Sequence, residues 1–357
     1  MRRRQFIQKT SLATAAMSFS HISIGKKKEK LGVALVGLGG YSTGQLAPSL
    51  QMTEHCYLAG IVTGTPEKAV SWQEKYDIPD ENVYNYDNFE SIANNADIDV
   101  VYVVLPNSMH TEFAIKAAEA GKHVWCEKPM AKTVKECEEI IAACKKNKVK
   151  LSIGYRMQHE PNTQQLRAFV KNQKYGDLRM LEAVAGFTMN STGIWRLNKE
   201  MGGGAMYDMG VYPINAVRYL SGLEPLSVMA YESKRRPEMF AEVDETMNYI
   251  LEFPGGLMAN CATSFGMNMG RLTVTCGRGN FRLEPFQSYR GIKGYTSDGI
   301  QFSDQVKSQQ AVQMDDDALA IIDGRAVMVP GEEGLRDIKV VEAAFKSAEE
   351  GKRISIH

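Results

Sequence analysis

The stretch LGVALVGLGGYS, residues 31–42, decides the fold. Its first seven residues carry no charge and no polar alternation. That is the pattern of a strand buried on both faces, as in a parallel sheet with helices on either side. Gly37-x-Gly39-x-x-Ser42 follows at once, with Gly40 and Tyr41 inside it. Gly37 permits a tight turn, and Gly39 lets a pyrophosphate approach the backbone. A small residue at the third position, Ser42, lets the next helix close on the strand. A loose G-x-G-x-x-S is a weak signal alone. Its place between the first strand and the first helix makes it a dinucleotide-binding turn.

The alternation repeats downstream. CYLAGIVT (56–63), DVVYVVLP (99–106), HVWCEK (123–128) and KLSIGY (150–155) read as further strands. Helices are expected between them at 43–51, 67–76, 109–121 and 134–147. Gly121 is a helix stop, and Thr133-x-x-Glu136 is a capping box. Repeated strand–helix units imply a doubly wound parallel sheet of the Rossmann type.

Beyond Tyr155 the texture changes. Helices at 161–173, 205–221 and 335–350 interleave with alternating strands at 178–188, 226–234, 246–253, 257–265, 271–277 and 281–286. RISIH (353–357) closes the chain as a strand. Pro254-Gly255-Gly256 and Gly277-Arg278-Gly279-Asn280 are turn signals between them. The expected organisation is an α/β Rossmann domain over 26–153 and an α+β domain with an open, mainly antiparallel sheet over 154–357.

Residues 1–25 stand apart. Arg2-Arg3-Arg4 precedes Gln5-Phe6-Ile7 and a mild apolar run from Ser11 to Ile24. This reads as a twin-arginine signal peptide, and the expected location is the periplasm. Ala13-Thr14-Ala15 and Ser18-Phe19-Ser20 both fit the cleavage site. The run is too short and polar to span a bilayer, so no membrane association is expected after its removal. The formal net charge is zero, and no long basic block exists beyond Lys26-Lys27-Lys28, so nucleic acid is not an expected partner. The six cysteines, at 56, 126, 137, 144, 261 and 276, form no CxxC or Cys/His cluster. They are expected to be buried packing residues, and no metal is expected.

Two places carry chemistry. The second strand ends Ile61-Val62-Thr63-Gly64, without the acid that holds ribose hydroxyls in NAD-binding chains. Thr63 and Lys68 suit a 2′-phosphate, which a carboxylate would repel, so NADP(H) is favoured over NAD(H). The second place is Glu127-Lys128-Pro129, at the end of the fourth strand. Proline biases Lys128 away from helical backbone. The lysine is thereby aimed out of the carboxyl end of the sheet, where open α/β folds bind ligands.

With LPNSMH (105–110), GYRMQHEP (154–161), GGGAMYDMGVYPINAVRYLSG (202–222) and GEEGLRDIKVVEAAFKSAEEGK (331–352), the chain resembles the glucose–fructose oxidoreductase / inositol dehydrogenase / rhizopine catabolism (Gfo/Idh/MocA) family. Within it the wording is similar to the glucose–fructose oxidoreductase subgroup. The resemblance implies sugar oxidation and reduction by hydride transfer with NADP, and a homo-oligomer, dimer or tetramer, built on an exposed sheet face. It implies Lys128 as the central catalytic lysine, with Asp208 and Tyr212 as partners. It places Thr63, Lys68 and Tyr86 at the 2′-phosphate and adenine. Leu105, Pro106, Asn107, His110 and Glu127 would surround the nicotinamide half, and Arg156, Trp195 and Arg196 would border cofactor and sugar. A tyrosine is a poor base unless a neighbouring ammonium favours its phenolate, and Lys128 would supply that charge.

One feature departs from the subgroup. Its long proline-rich arm before the first strand has no counterpart in the few residues from Gly25 to Lys30. Two other readings keep the fold: an exported NAD-dependent glycosidase working through transient sugar oxidation, and a non-catalytic sugar or redox sensor. The acid-free second strand speaks against the first. The retention of Lys128, Asp208 and Tyr212 together speaks against the second.

Overall fold

The computed structural model describes residues 28–357; the signal peptide expected over 1–25 lies outside the described residues. Strand β1 (Leu31–Val36) is buried at every position, as its uncharged sequence demands. It pairs in parallel with β2 (Cys56–Val62), which pairs with the two-residue β3 (Val83–Tyr84). On its other side come β4 (Val100–Val103), β5 (His123–Cys126) and β6 (Leu151–Ile153), all parallel. The order β3-β2-β1-β4-β5-β6 reverses direction between β1 and β4. In doubly wound sheets that reversal opens the ligand crevice at the strands' carboxyl ends. Strand β3 is not visible in the sequence, because two residues are too few to show any periodicity.

The first helix, α1, is π-helical over Ser42–Leu46 and α-helical over Ala47–Leu50. Helices α2 (Pro66–Tyr76), α3 (His110–Glu119) and α4 (Val134–Lys146) follow. The capping box at the start of α4 is complete: Thr133 accepts from the Glu136 N–H, and Glu136 accepts from the Thr133 N–H. Helix α5 (Pro161–Lys171) then leads into a second sheet.

That sheet has nine strands. In chain order they are β7 (Leu178–Gly186), β8 (Ser227–Ser233), β9 (Thr246–Glu252), β10 (Met258–Ser264), β11 (Met269–Cys276), β12 (Gly279–Leu283), β13 (Gly294–Thr296), β14 (Gln301–Phe302) and β15 (Ile354–Ser355). Their spatial order is β14-β13-β12-β11-β7-β10-β9-β8-β15. All pairings are antiparallel except β10 with β7, which run parallel. The sheet is therefore not a simple run of hairpins, because β7 inserts between β10 and β11. Helices α6 (Val211–Ser221) and α8 (Gly331–Glu350) pack against it.

Helix α7 (Gln309–Ile322) was not legible in the sequence. It leaves the second sheet and returns to the first. Met314 and Ala318 join Val33, Leu35, Leu58 and Trp125 in one buried cluster. Gln309, Gln310, Gln313 and Asp317 on the same helix are buried too. A helix that buries polar residues shows no apolar stripe, which is the signal sequence reading uses. All six cysteines are buried and unpaired.

Candidate active site

A cavity of about 1120 Å³ lies at the carboxyl ends of the first sheet's strands and is walled on its far side by the second sheet. Every catalytic and cofactor-binding candidate named from the sequence lines it.

The glycine turn enters from β1. Gly37 has φ +94°, and a Cβ there would meet the Val104 carbonyl oxygen at 2.4 Å. Only glycine fits such a turn. A Cβ on Gly39 or Gly40 would meet nothing within 4 Å, so the backbone there stands open to the cavity. Buried Ser42 donates its hydroxyl to the Gly37 carbonyl at 2.6 Å and closes the turn. These residues fit a pyrophosphate.

At the end of β2, Thr63 is buried, and its Oγ1 accepts from the Thr65 N–H at 3.2 Å. Lys68 is exposed in the first turn of α2, and its ammonium has no ion-pair partner among the described residues. Tyr86 packs on Phe113 with ring centroids 5.1 Å apart. Its ring also covers Gly64, where a Cβ would come within 2.8 Å of it. This corner offers a hydroxyl, an ammonium and an aromatic face, and none of its lining residues is acidic.

After β4, Leu105, Pro106 and Asn107 cross the floor. The Asn107 amide donates to the Gly202 carbonyl at 2.7 Å, tying this loop to the glycine-rich segment 202–204. Buried His110 has one ring nitrogen 2.8 Å from the Leu105 carbonyl and the other 2.8 Å from the Pro129 carbonyl. Burial pulls its pKa down, so the neutral ring donates to one of the two. With a carbonyl oxygen against each ring nitrogen, it braces the loops and has no side open to a metal. Buried Glu127 accepts from the Tyr102 hydroxyl at 2.6 Å, and burial pushes its pKa up.

The Lys128–Pro129 peptide bond is cis. The Lys128 ammonium donates to the Asp208 carbonyl oxygen at 2.6 Å and lies 3.3 Å from Asp208 Oδ1. It also sits 4.6 Å from the centroid of the Tyr212 ring. Asp208 Oδ2 accepts from Arg196 Nε at 2.8 Å, and that guanidinium lies over Trp195 at 4.6 Å. Burial draws the lysine pKa down, but the charges of Tyr212, Asp208 and Glu127 more than offset it, and the net shift is upward. Burial pushes Asp208 up, but Lys128 and Arg196 bring it below the ordinary carboxylate range. At neutral pH the cluster therefore holds two cations and one anion, a net positive charge aimed into the cavity.

Asp208 and Tyr212 reach the same cavity, although the helix expected over 205–221 is not one continuous α-helix. Asp208 lies in a π-helical turn, Met206–Gly210, which runs directly into α6 carrying Tyr212. Such turns re-aim side chains at functional sites. Asp244 holds the start of this turn: its Oδ2 accepts from the Met206 N–H at 2.7 Å, and burial pushes its carboxyl up to about 7.

Arg156 lines the cavity but spends its guanidinium on the wall. It donates to the Gln309 side chain and to the Gln287 and Ser288 carbonyls. The wall it holds, with Glu284, Pro285, Gln287, Ser288 and Tyr289, was not read from the sequence. Nor were Phe187 and Asn268 on the second sheet's rim. No motif marks them, and strands expected to run to 188 and 286 end instead at Gly186 and Leu283, leaving Phe187, Glu284 and Pro285 in loops. Tyr289 stacks on Tyr41 of the glycine turn, with centroids 6.1 Å apart and planes at 29°, and bridges the cavity's two walls. Tyr289→Ala is expected to speed nucleotide dissociation by roughly threefold to tenfold, the worth of one aromatic pair. Stopped-flow fluorescence of the bound nicotinamide measures it; an unchanged off-rate would show that the stack does not gate the cavity.

Sequence comparison agrees with this geometry. Residues 31–155 match the oxidoreductase family with an NAD-binding Rossmann fold, and residues 163–282 match the GFO/IDH/MocA C-terminal domain. The crystal structure of aldose-aldose oxidoreductase from Caulobacter crescentus, complexed with glycerol, superposes with a TM-score of 0.89 at 41% identity, covering 91% of this chain and 99% of that one. The D-xylose 1-dehydrogenase [NADP(+)] of Haloarcula marismortui is 27% identical over 88% of this chain and 90% of its own. The D-glucoside 3-dehydrogenase of Escherichia coli is 26% identical over 91% of this chain and 97% of its own. The fold and cavity are those of a nucleotide-binding oxidoreductase. The chain belongs to the GFO/IDH/MocA oxidoreductase family.

Proposed function

We propose that this chain is an exported, NADP(H)-dependent sugar oxidoreductase. It transfers hydride between an aldose or pyranose hydroxyl and the nicotinamide, then regenerates its tightly held cofactor on a second carbonyl sugar. The observation that carries the reading is the largely buried Lys128–Asp208 pair, with half-buried Arg196 on its outer side and Tyr212 beside it, facing a glycine turn across one cavity. The nicotinamide, when bound, accepts or returns the hydride. Lys128 holds the sugar oxygen and stabilises negative charge on it as its proton leaves. Tyr212, beside that ammonium, takes the proton. Asp208, held by Arg196, keeps the lysine charged and in place. Such fixed charges in a desolvated site contribute more than they would in water.

The sugar is supported by the relatives' substrates, and NADP by the Thr63, Lys68 and Tyr86 corner. Export is supported by the arginine-led N-terminus. An exported enzyme has no cytoplasmic nucleotide pool to draw on, which favours recycling over exchange. No helix among the described residues is long and apolar enough to cross a membrane. Tyr231, Ile250 and Met258 are exposed on the uncovered face of the second sheet, which suits assembly into a homo-oligomer, dimer or tetramer.

The test starts from protein recovered from the periplasmic fraction and denatured to release its nucleotide. Mass spectrometry is expected to find NADP(H). Native protein is then given pairs of sugars with no added nucleotide, and oxidation of one with reduction of the other is expected. Nucleotide-free protein that also fails to reduce added NADP⁺ with any aldose would overturn the proposal.

A further inference from the structure

We propose that His159, Asp316 and Asp317 form a structural site for a divalent first-row cation, Zn²⁺ by preference, which clamps α7 to the back of the active-site wall. His159 directly follows the short turn Arg156–Gln158, after β6, and the two aspartates lie on α7. One ligand atom from each residue lies within 4.8 Å of the others. His159 is 6% exposed and Asp317 is 0% exposed.

The polar atoms of this cluster are unmatched in a specific way. Neither ring nitrogen of His159 makes a hydrogen bond, although Nδ1 stands 3.3 Å from Asp316 Oδ2. Asp316 Oδ2 and Asp317 Oδ2 make none either. Folded proteins rarely leave so many buried polar atoms together without partners. The opposite carboxylate oxygens are both held. Asp316 Oδ1 accepts from the Arg325 guanidinium, and Asp317 Oδ1 accepts from the Ser152 hydroxyl at 2.8 Å. Each carboxylate thus keeps one oxygen fixed by an outer donor and turns the other toward the imidazole. Outer donors of this kind orient the ligands of metal sites.

The donor set selects the cation. One imidazole nitrogen and two carboxylate oxygens suit Zn²⁺, whereas Mg²⁺ and Ca²⁺ prefer oxygen alone, and no thiolate is present for Cu⁺. Two carboxylates and a neutral ring carry two negative charges, which a divalent ion balances. None of the three residues lines the catalytic cavity, so the ion takes no part in hydride transfer. Its effect passes through α7. Gln309 receives Arg156, Gln310 reaches the Tyr41 hydroxyl at 3.5 Å, and Gln313 reaches the Tyr102 hydroxyl at 3.4 Å. Fixing α7 fixes three contacts behind the cavity wall. The ligands lie far apart along the chain, outside any short spacing pattern, so the sequence alone gives no expectation of a metal.

A protonated His159 paired with the two aspartates would use the same residues without a metal, and the experiment separates the two. The full chain is stripped with chelator and titrated with Zn²⁺ by calorimetry, with Mg²⁺ as the comparison. One equivalent of Zn²⁺ per chain is expected, with a higher melting temperature and no such response to Mg²⁺. His159→Gln and Asp317→Asn are expected to abolish uptake. Ser152→Ala is expected to weaken it by about tenfold to a hundredfold, the usual effect of removing an outer-shell donor. Because a ligand variant can lose its fold, Co²⁺ bound to the parent chain supplies a second readout: paramagnetically shifted proton resonances from a single histidine ring. No Zn²⁺ uptake by the stripped parent, undiminished uptake in folded His159→Gln, or no shifted histidine signal would each overturn the site.

Discussion

Lys128→Met is expected to leave the fold and the bound nucleotide in place while kcat falls by roughly a thousandfold, within the range for a group that stabilises charge at the reacting atom. Methionine fills nearly the same space, so the neighbouring Tyr212 ring keeps its packing. What disappears is the ammonium between Asp208 and Tyr212. Asp208 keeps its Arg196 partner, so the variant is not left with a lone buried carboxylate. The loss therefore belongs to the chemical step and should appear in kcat more than in KM. Steady-state rates on the best sugar pair, with circular dichroism and nucleotide content as controls, measure it. A rate within tenfold of the parent's would remove Lys128 from the mechanism.

The pH behaviour of the parent follows from the same charges. The folded Lys128 pKa is raised, so its stabilising contribution is full below the ordinary lysine range and is lost as pH rises through the folded value. The folded Asp208 pKa is lowered, so its contribution is present above the ordinary carboxylate range and is lost as pH falls through the folded value. Between those limits the pair stays ionised.

The half of the site built on the first sheet was legible because each part is contiguous in sequence and sits at a strand end. The glycine turn, Thr63, the 105–107 loop and Lys128 all follow buried strands whose apolar runs are unmistakable. Asp208 and Tyr212 were legible through the family resemblance, but the π-helical turn that carries Asp208 was not, because a wider helical turn leaves no mark on side-chain spacing. The second wall was not legible. Its loop at 284–289 carries no motif and begins inside the strand expected to run to 286, and the helix behind it buries glutamines, whose partners are known only once the fold brings Arg156, Tyr41 and Tyr102 alongside. Arg156 shows the limit most clearly: a motif marks it as important, yet only the structure shows its guanidinium turned onto that wall.

Cofactor choice gives the second large effect. With the proposed NADP(H) dependence, Thr63→Asp combined with Lys68→Ala is expected to shift the preference from NADP⁺ toward NAD⁺ by roughly a hundredfold, about the worth of one charge-assisted hydrogen bond, 1.5–3 kcal/mol. The two changes act on different terms. Removing the Lys68 ammonium deletes attraction for the 2′-phosphate and gives NAD⁺ nothing, so Lys68→Ala alone should lower NADP⁺ affinity about tenfold, as an exposed, partly screened charge implies. The carboxylate introduced at the end of β2 repels that phosphate and accepts from the ribose hydroxyls of NAD⁺, the arrangement found in NAD-binding sheets. The turn should tolerate it, because Thr63 Oγ1 already accepts from the Thr65 N–H, and a carboxylate oxygen can take over that bond. Tyr86 should keep its place in both variants, since it rests on Phe113 and Gly64 rather than on Thr63 or Lys68. The ratio of kcat/KM for the two nucleotides, measured on protein stripped of its own cofactor, is the readout. A ratio unmoved by the double substitution would mean that the 2′-position is read elsewhere in the cavity, and the acid-free end of β2 would lose its meaning as the determinant of cofactor choice.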